Sequence, residues 1–141
     1  MKALFIGGTG TISSAITRLV AATPEWQLTV LNRGNRNQSL PKNVASLCLD
    51  INDETAAKSA LAGLDFDVVC DFIAFTPNQV ERDFRLFSGH CRQFMYISSA
   101  SAYQKPLSNY LINEATPLAN PFWEYSRNKI ECENFLMQKY R

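Results

Sequence analysis

A short apolar run that stops at a cluster of glycines and gives way to helical spacing leaves a chain few folds to choose from. Lys2–Ile6 is such a run, and Gly7-Gly8-Thr9-Gly10 follows at once. Beyond the glycines, Ile12, Ala15, Ile16, Leu19 and Val20 recur with the period of a helix, and Pro24 follows its end. A continuous apolar run of this length suits a strand buried on both faces, as in parallel sheets. Glycines between strand and helix suit a tight turn whose backbone something else can approach.

The same rhythm continues along the chain. Residues 27–31 alternate and contain Thr and Val, residues 44–49 resemble them, and both stretches read as strands. The alanine- and leucine-rich stretch 53–64 predicts a second helix, and residues 66–74 a fourth strand of the fully buried type. Val80, Phe84 and Phe87 mark the inner face of a third helix, residues 94–97 form a fifth strand, and residues 124–140 a last helix. Strands alternating with helices predict an α/β fold, a Rossmann-like doubly wound parallel sheet of about five strands with helices on both faces. With 141 residues the chain is expected to be one domain, residues 1–141. The stretch 102–123, with Pro106, Pro117 and Pro121, has little periodicity and is either a substrate-facing loop or a surface connection.

Composition excludes several classes of function. Fourteen basic residues against 13 acidic ones leave no electrostatic footprint for nucleic acid or an anionic membrane as the main partner. Cys48, Cys70, Cys91 and Cys132 are scattered and form no Cys-x-x-Cys pair, so they read as reduced, mostly buried thiols of a cytoplasmic protein. His90, the single histidine, has no ligand-spaced partner, and no metal site is expected. No apolar run reaches the roughly 18 residues needed to cross a bilayer. The short opening run lacks the length and cleavage pattern of a signal peptide.

The glycine turn stands where a dinucleotide-binding turn would. Gly7 permits the turn, and Gly10 lets the backbone approach a pyrophosphate at a helix N-terminus, where unpaired N–H groups and the helix dipole favour an anion. Ser13 is small enough for close packing of helix on strand. A simple strand-to-helix connection that binds nothing is the alternative. After the second strand, Asn32-Arg33-Gly34-Asn35-Arg36 offers arginines where an acidic residue would bond the ribose of NAD, and arginine suits the 2′-phosphate of NADP. NADP is therefore favoured over NAD, unless Arg33 and Arg36 are solvated loop charges. Asp50-Ile51 either meets an adenine with its carboxylate and apolar side chain, or Asp50 caps the next turn.

Tyr125 and Lys129, four residues apart on the last predicted helix, share a face one turn apart. A free tyrosine has a pKa near ~10, and a neighbouring ammonium favours its phenolate. Such a tyrosine can exchange a proton during hydride transfer. The same spacing also occurs on solvated helix faces, so the pair takes its meaning from what precedes it.

With the glycine turn, Ser99 and Tyr125-x-x-x-Lys129 in that order, the chain resembles the extended short-chain dehydrogenase/reductases, the NAD(P)-dependent epimerase/dehydratase family, over essentially all its length. The resemblance implies that Ser99, within Ser98-Ser99-Ala100-Ser101-Ala102-Tyr103, holds the substrate oxygen beside Tyr125. Tyr125 would be the acid/base, and Lys129 would bind the nicotinamide ribose and lower the tyrosine pKa. Thr11 and Ile12 in the turn and Ala74 at the fourth strand's end would line the cofactor. Asn113-Glu114, Pro117 and Glu133 also look like the family's usual neighbours. Ala100 and Ser101 stand where dehydratases of this family carry acidic residues, which disfavours dehydration. The stretch 79–89 lacks the family's Asn-x-x-Gly, and Asp71-Phe-Ile-Ala-Phe75 is bulkier than its small-residue strand end; both resemble the atypical branch.

The resemblance implies an NAD(P)-dependent oxidoreductase or epimerase acting on a hydroxyl or carbonyl compound, such as a nucleotide sugar. A non-catalytic NADP-binding sensor or scaffold is the alternative. In that family the sheet continues past the Tyr-Lys helix into a substrate-binding region, so these residues are expected to be the N-terminal part of a longer protein or a natural truncation, inactive alone. A fifth strand left as an apolar edge invites pairing with another chain and predicts a homo-oligomer. Light scattering should then show self-association that grows with concentration, and a clean monomer at high concentration would contradict it.

Overall fold

A computed structural model of the chain describes residues 1–140. It contains strands β1 (Lys2–Ile6), β2 (Gln27–Asn32), β3 (Ala45–Cys48), β4 (Phe66–Asp71) and β5 (Cys91–Tyr96). The α-helices are α1 (Ser13–Ala21), α2 (Glu54–Leu61), α3 (Pro77–Phe87) and α4 (Glu124–Tyr140). The five strands form one parallel sheet in the order β3-β2-β1-β4-β5, the doubly wound arrangement expected from the sequence. Backbone proximity divides the chain into two compact units, Met1–Ile73 with Arg82–Ile97, and Ala74–Glu81 with the chain from Ser98 onward.

The first unit holds the whole sheet. β1 lies at its centre and alternate side chains leave opposite faces. Leu4 and Ile6 join Ile51, Ala57, Leu61, Val69, Leu86 and Phe87 in one core, while Ala3 and Phe5 join Leu28, Val30 and Cys70 in the other. That two-sided burial explains why β1 reads as an unbroken apolar run.

The elements fall close to where periodicity puts them, and the differences have local causes. β4 ends at Asp71 rather than at residue 74, because Asp71 Oδ1 accepts the N–H of Ile73 at 2.6 Å and bends the chain into a turn. α2 starts after Asp53, whose carboxylate accepts the N–H of Ala56 at 3.0 Å as an N-cap, and it stops at Leu61, short of Gly63 with φ of +73°. β5 begins at Cys91, three residues before the predicted start, and lies at one edge of the sheet with Arg92, Gln93 and Met95 exposed. The cysteines are free, but only Cys70 and Cys132 are buried, and Cys48 is exposed. Burial first, and then the Asp71 carboxylate, push the Cys70 thiol up to about 11, which leaves it unreactive.

One buried cluster escaped periodicity altogether. Asp71, Arg82 and Asp83 are all buried. Asp83 Oδ1 accepts from Arg82 Nε and Nη2 at 2.8 and 2.7 Å, and Arg82 Nη1 reaches Asn52 Oδ1 at 2.6 Å. Two carboxyl groups share one guanidinium, so one of them holds a proton. Burial, and then a hydrogen bond and like charge from Asp71, push Asp83 up to about 9, against 3.8 in an unfolded chain. Asp83 is thus the member that stays protonated at neutral pH, with Arg82 on its Oδ1.

A raised carboxyl pKa stabilises the fold fully below the unfolded value, and that stability is lost as pH climbs toward the folded one. Asp83→Asn cannot ionise and imitates the protonated acid. The melting temperature of the natural protein should fall relative to this variant between pH 5 and 8, the gap widening by at least about 5 °C. A constant gap would mean that Asp83 is ionised in the fold.

Candidate functional site

The order of strands in the sheet reverses between β1 and β4, and in open parallel sheets the crevice at such a point receives ligands. Gly7 ends β1 there with φ of +81°, a conformation that favours glycine, and its N–H bonds to the Leu31 carbonyl at 3.0 Å. A Cβ on Gly7 would lie 2.3 Å from Cγ2 of Ile73, so the bulky residue after β4 packs directly on bare backbone.

α1 presents to the turn a different face from the one its apolar period suggests. Its buried residues are Ser13 and Thr17, whereas Ile12 and Leu19 are 70% and 68% exposed. Ser13 Oγ donates to the Gly7 carbonyl at 2.7 Å and accepts the Gly10 N–H at 2.8 Å, and Thr17 Oγ1 donates to the Gly8 carbonyl at 2.7 Å. Hydroxyls, rather than aliphatic packing, hold the helix against its turn. No side chain caps the N-terminus of α1, and Thr11 and Ile12 are exposed there.

The end of β2 forms a small polar corner. Asn32 Oδ1 accepts the Gly34 N–H at 2.7 Å, while its Nδ2 is buried with no partner. Gly34 has φ of +84°, with Cys48 against it, and Arg33 and Arg36 are both exposed. At Asp50 the capping alternative is the one observed, since its Oδ1 accepts from Asn52 N and Nδ2, both at 2.9 Å. Ile51 is 2% exposed, so its side chain belongs to the core and is not available to an adenine.

The second unit gathers the remaining predicted residues. α4 places Tyr125 and Lys129 one turn apart, with the Lys129 ammonium 5.7 Å from the Tyr125 ring centroid. Lys129 is buried, its Nζ donating to the Ala74 carbonyl at 2.8 Å and standing 5.0 Å from the Phe75 ring. An ammonium is tolerated there because carbonyl and aromatic faces replace its water. Ser99 caps a short 3-10 turn, its Oγ 2.9 Å from Ser101 Oγ and accepting the Ser101 N–H at 3.2 Å. Ser98 Oγ donates to Glu133 on α4.

Asn120 and Gln79 are the residues that sequence reasoning missed here. Asn120 is buried and donates to the Ser101 carbonyl at 2.7 Å and to Ser126 Oγ at 3.4 Å, tying the serine-rich segment to α4. Its available signal was the Asn-Pro dipeptide, a turn initiator. Gln79 Oε1 accepts the N–H groups of Phe75 and Thr76 at 2.6 and 3.1 Å. Among the described residues no cluster of His, Cys, Asp or Glu could hold a metal ion, and no helix is long and apolar enough to cross a membrane.

Comparison with known proteins places these observations. The family model described as NAD dependent epimerase/dehydratase family matches residues 3–140. No curated protein matches the chain. Among solved structures, the UDP-Glc/GlcNAc 4-epimerase from Campylobacter jejuni superposes with a TM-score of 0.85 at 20% identity, covering 97% of this chain and 48% of that one. The dTDP-glucose 4,6-dehydratase from Bacillus anthracis, solved in complex with NAD, gives 0.81 at 17% identity, covering 99% and 50%. A UDP-glucuronic acid 4-epimerase from Bacillus cereus, solved with UDP-glucuronic acid and NAD, gives 0.75 at 17%, covering 99% and 52%. The chain spans about half the length of these proteins.

Gly7→Ala would set a methyl group against Ile73 in a left-handed conformation. Urea denaturation should show a loss of about 2–4 kcal/mol. A loss below about 0.5 kcal/mol would mean that the turn relaxes freely.

Proposed function

The chain belongs to the NAD-dependent epimerase/dehydratase family, and from that premise we propose that its parent protein is an NAD(P)-dependent epimerase or oxidoreductase acting on a hydroxyl or carbonyl carbon of a nucleotide sugar. The observation that carries this is the buried Lys129 ammonium one turn from Tyr125, beside the Ala74 carbonyl.

The uncapped α1 N-terminus and the partnerless Asn32 Nδ2 fit a bound dinucleotide. Gly7, Gly10, Thr11 and Ile12 would hold its pyrophosphate, and Asn32, Arg33, Arg36 and the Asp50-Ile51 backbone its adenosine half. Ala74 and Lys129 would meet the nicotinamide ribose. When bound, NAD(P) supplies the group that accepts and returns a hydride. The chain's own residues manage the proton: Ser99 Oγ holds the substrate oxygen, and the Tyr125 hydroxyl takes or gives its proton. Dehydration is disfavoured by Ala100 and Ser101.

Arg33 and Arg36 favour NADP over NAD through the 2′-phosphate, although two of the structural neighbours above were solved with NAD. The four free cysteines suit a reducing, cytoplasmic setting. The bulk of Ile73 and Phe75 near backbone that a cofactor would approach favours a second reading, a sensor or scaffold that binds NADP without turnover.

In the full-length protein, Tyr125→Phe should lower turnover by about 10²–10⁴-fold while leaving cofactor affinity within about twofold. Fluorescence titration with both cofactors gives that affinity and should find NADP the tighter. Unchanged turnover would remove Tyr125 from the chemistry, and bound cofactor without hydride exchange on any substrate would favour the sensor.

A further inference from the structure

Exposed aromatic rings are seldom held still, because an unburied ring keeps its rotamer freedom. In the second unit two exposed rings lie beside Tyr125 on backbone that is tied in place. Gln79 fixes the backbone N–H of Phe75 at 2.6 Å, and the Phe75 ring lies 6.2 Å from that of Tyr125. Trp123 is held through its loop. Asn120 Oδ1 accepts the Phe122 N–H at 3.2 Å, Arg127 Nη1 donates to the Pro121 carbonyl at 2.5 Å, and the Arg127 N–H donates to the Trp123 carbonyl at 3.1 Å. The Trp123 ring stands 4.8 Å from that of Tyr125, tilted by 41°. Despite these restraints Phe75 and Trp123 stay 45% and 56% exposed.

We propose that Phe75 and Trp123 form a platform next to Tyr125 that selects the substrate by stacking on the C–H face of a sugar ring. The proposal rests on Tyr125 as the acid/base of a nucleotide-sugar enzyme and adds the residues that decide which substrates it accepts. A pyranose has an apolar face of C–H groups, which suits the electron-rich face of an aromatic ring. Its hydroxyl groups project from the rim, where Tyr125 is within reach. An open-chain alcohol has no such face and gains nothing from the platform. The backbone that carries both rings is tied by internal bonds, so the two residues are placed before the substrate arrives and less ordering is lost on binding. Neither ring moves a proton, so both are specificity residues.

A flat nucleobase would also stack on such rings, and the experiment must separate it from the sugar. The full-length protein, its cofactor occupancy followed independently, is titrated with UDP-glucose, UDP-N-acetylglucosamine and dTDP-glucose, and with UDP and dTDP alone. Tryptophan emission is read as the difference from the Trp123→Phe variant, in a Trp26→Phe background. At least one sugar nucleotide should change the Trp123 emission where its nucleoside diphosphate does not. Trp123→Ala should weaken that ligand about tenfold with cofactor affinity unchanged, and Trp123→Phe should recover binding to within about threefold. An equal response to the nucleoside diphosphate alone would make this a base-stacking surface and overturn the proposal, as would silence toward all three sugar nucleotides. A sugar-specific response in a protein that binds neither NAD nor NADP would support the platform while sinking the cofactor-dependent function.

Discussion

The first turn of α1 must lie against the glycines that end β1, and the hydroxyls of Ser13 and Thr17 are what hold it there. Each donates to a glycine carbonyl at 2.7 Å, and each such bond contributes about 0.5–1.5 kcal/mol net. The larger effect is positional. A Cβ on Gly8 would meet Val30 at 2.9 Å and Thr17 Oγ1 at 3.1 Å, so the turn packs on these two side chains with no room for one of its own. β1 pairs with β2 on one side and β4 on the other, so the place where α1 starts also fixes where the crevice of the sheet opens. Ile73 then fills the space that Gly7 leaves bare.

Local pattern carried most of the fold because β1, β2 and β4 are buried on both faces and write their burial as apolar runs. The Tyr-Lys spacing was equally legible, since one helical turn is a local quantity. What escaped was non-local or inverted. Arg82 and Asp83 look like solvated helix charges, and only the approach of Asp71 and Asn52 from residues distant in sequence makes them a buried cluster. α1 carries its longest apolar side chains on the exposed face, because the face toward the turn has room only for serine and threonine. Ile51 read as a ligand contact because sequence cannot tell an apolar residue facing a crevice from one facing the core.

The second unit owes its order to polar side chains spent on backbone. Asn120, Gln79 and Arg127 each satisfy main-chain groups of irregular segments, which would otherwise be free to move. Lys129 is the exception, being buried and held by the carbonyl just beyond β4. A long flexible side chain has thereby been given one position.

The carboxyl group of Asp83 also makes folding a chemical exchange with the medium. At neutral pH the unfolded chain has released that proton and the folded one has kept it. Each molecule that folds therefore withdraws a proton from the surrounding buffer. The heat measured on unfolding then includes the heat of returning it, and differs between buffers of unlike ionisation enthalpy even at one pH and one temperature.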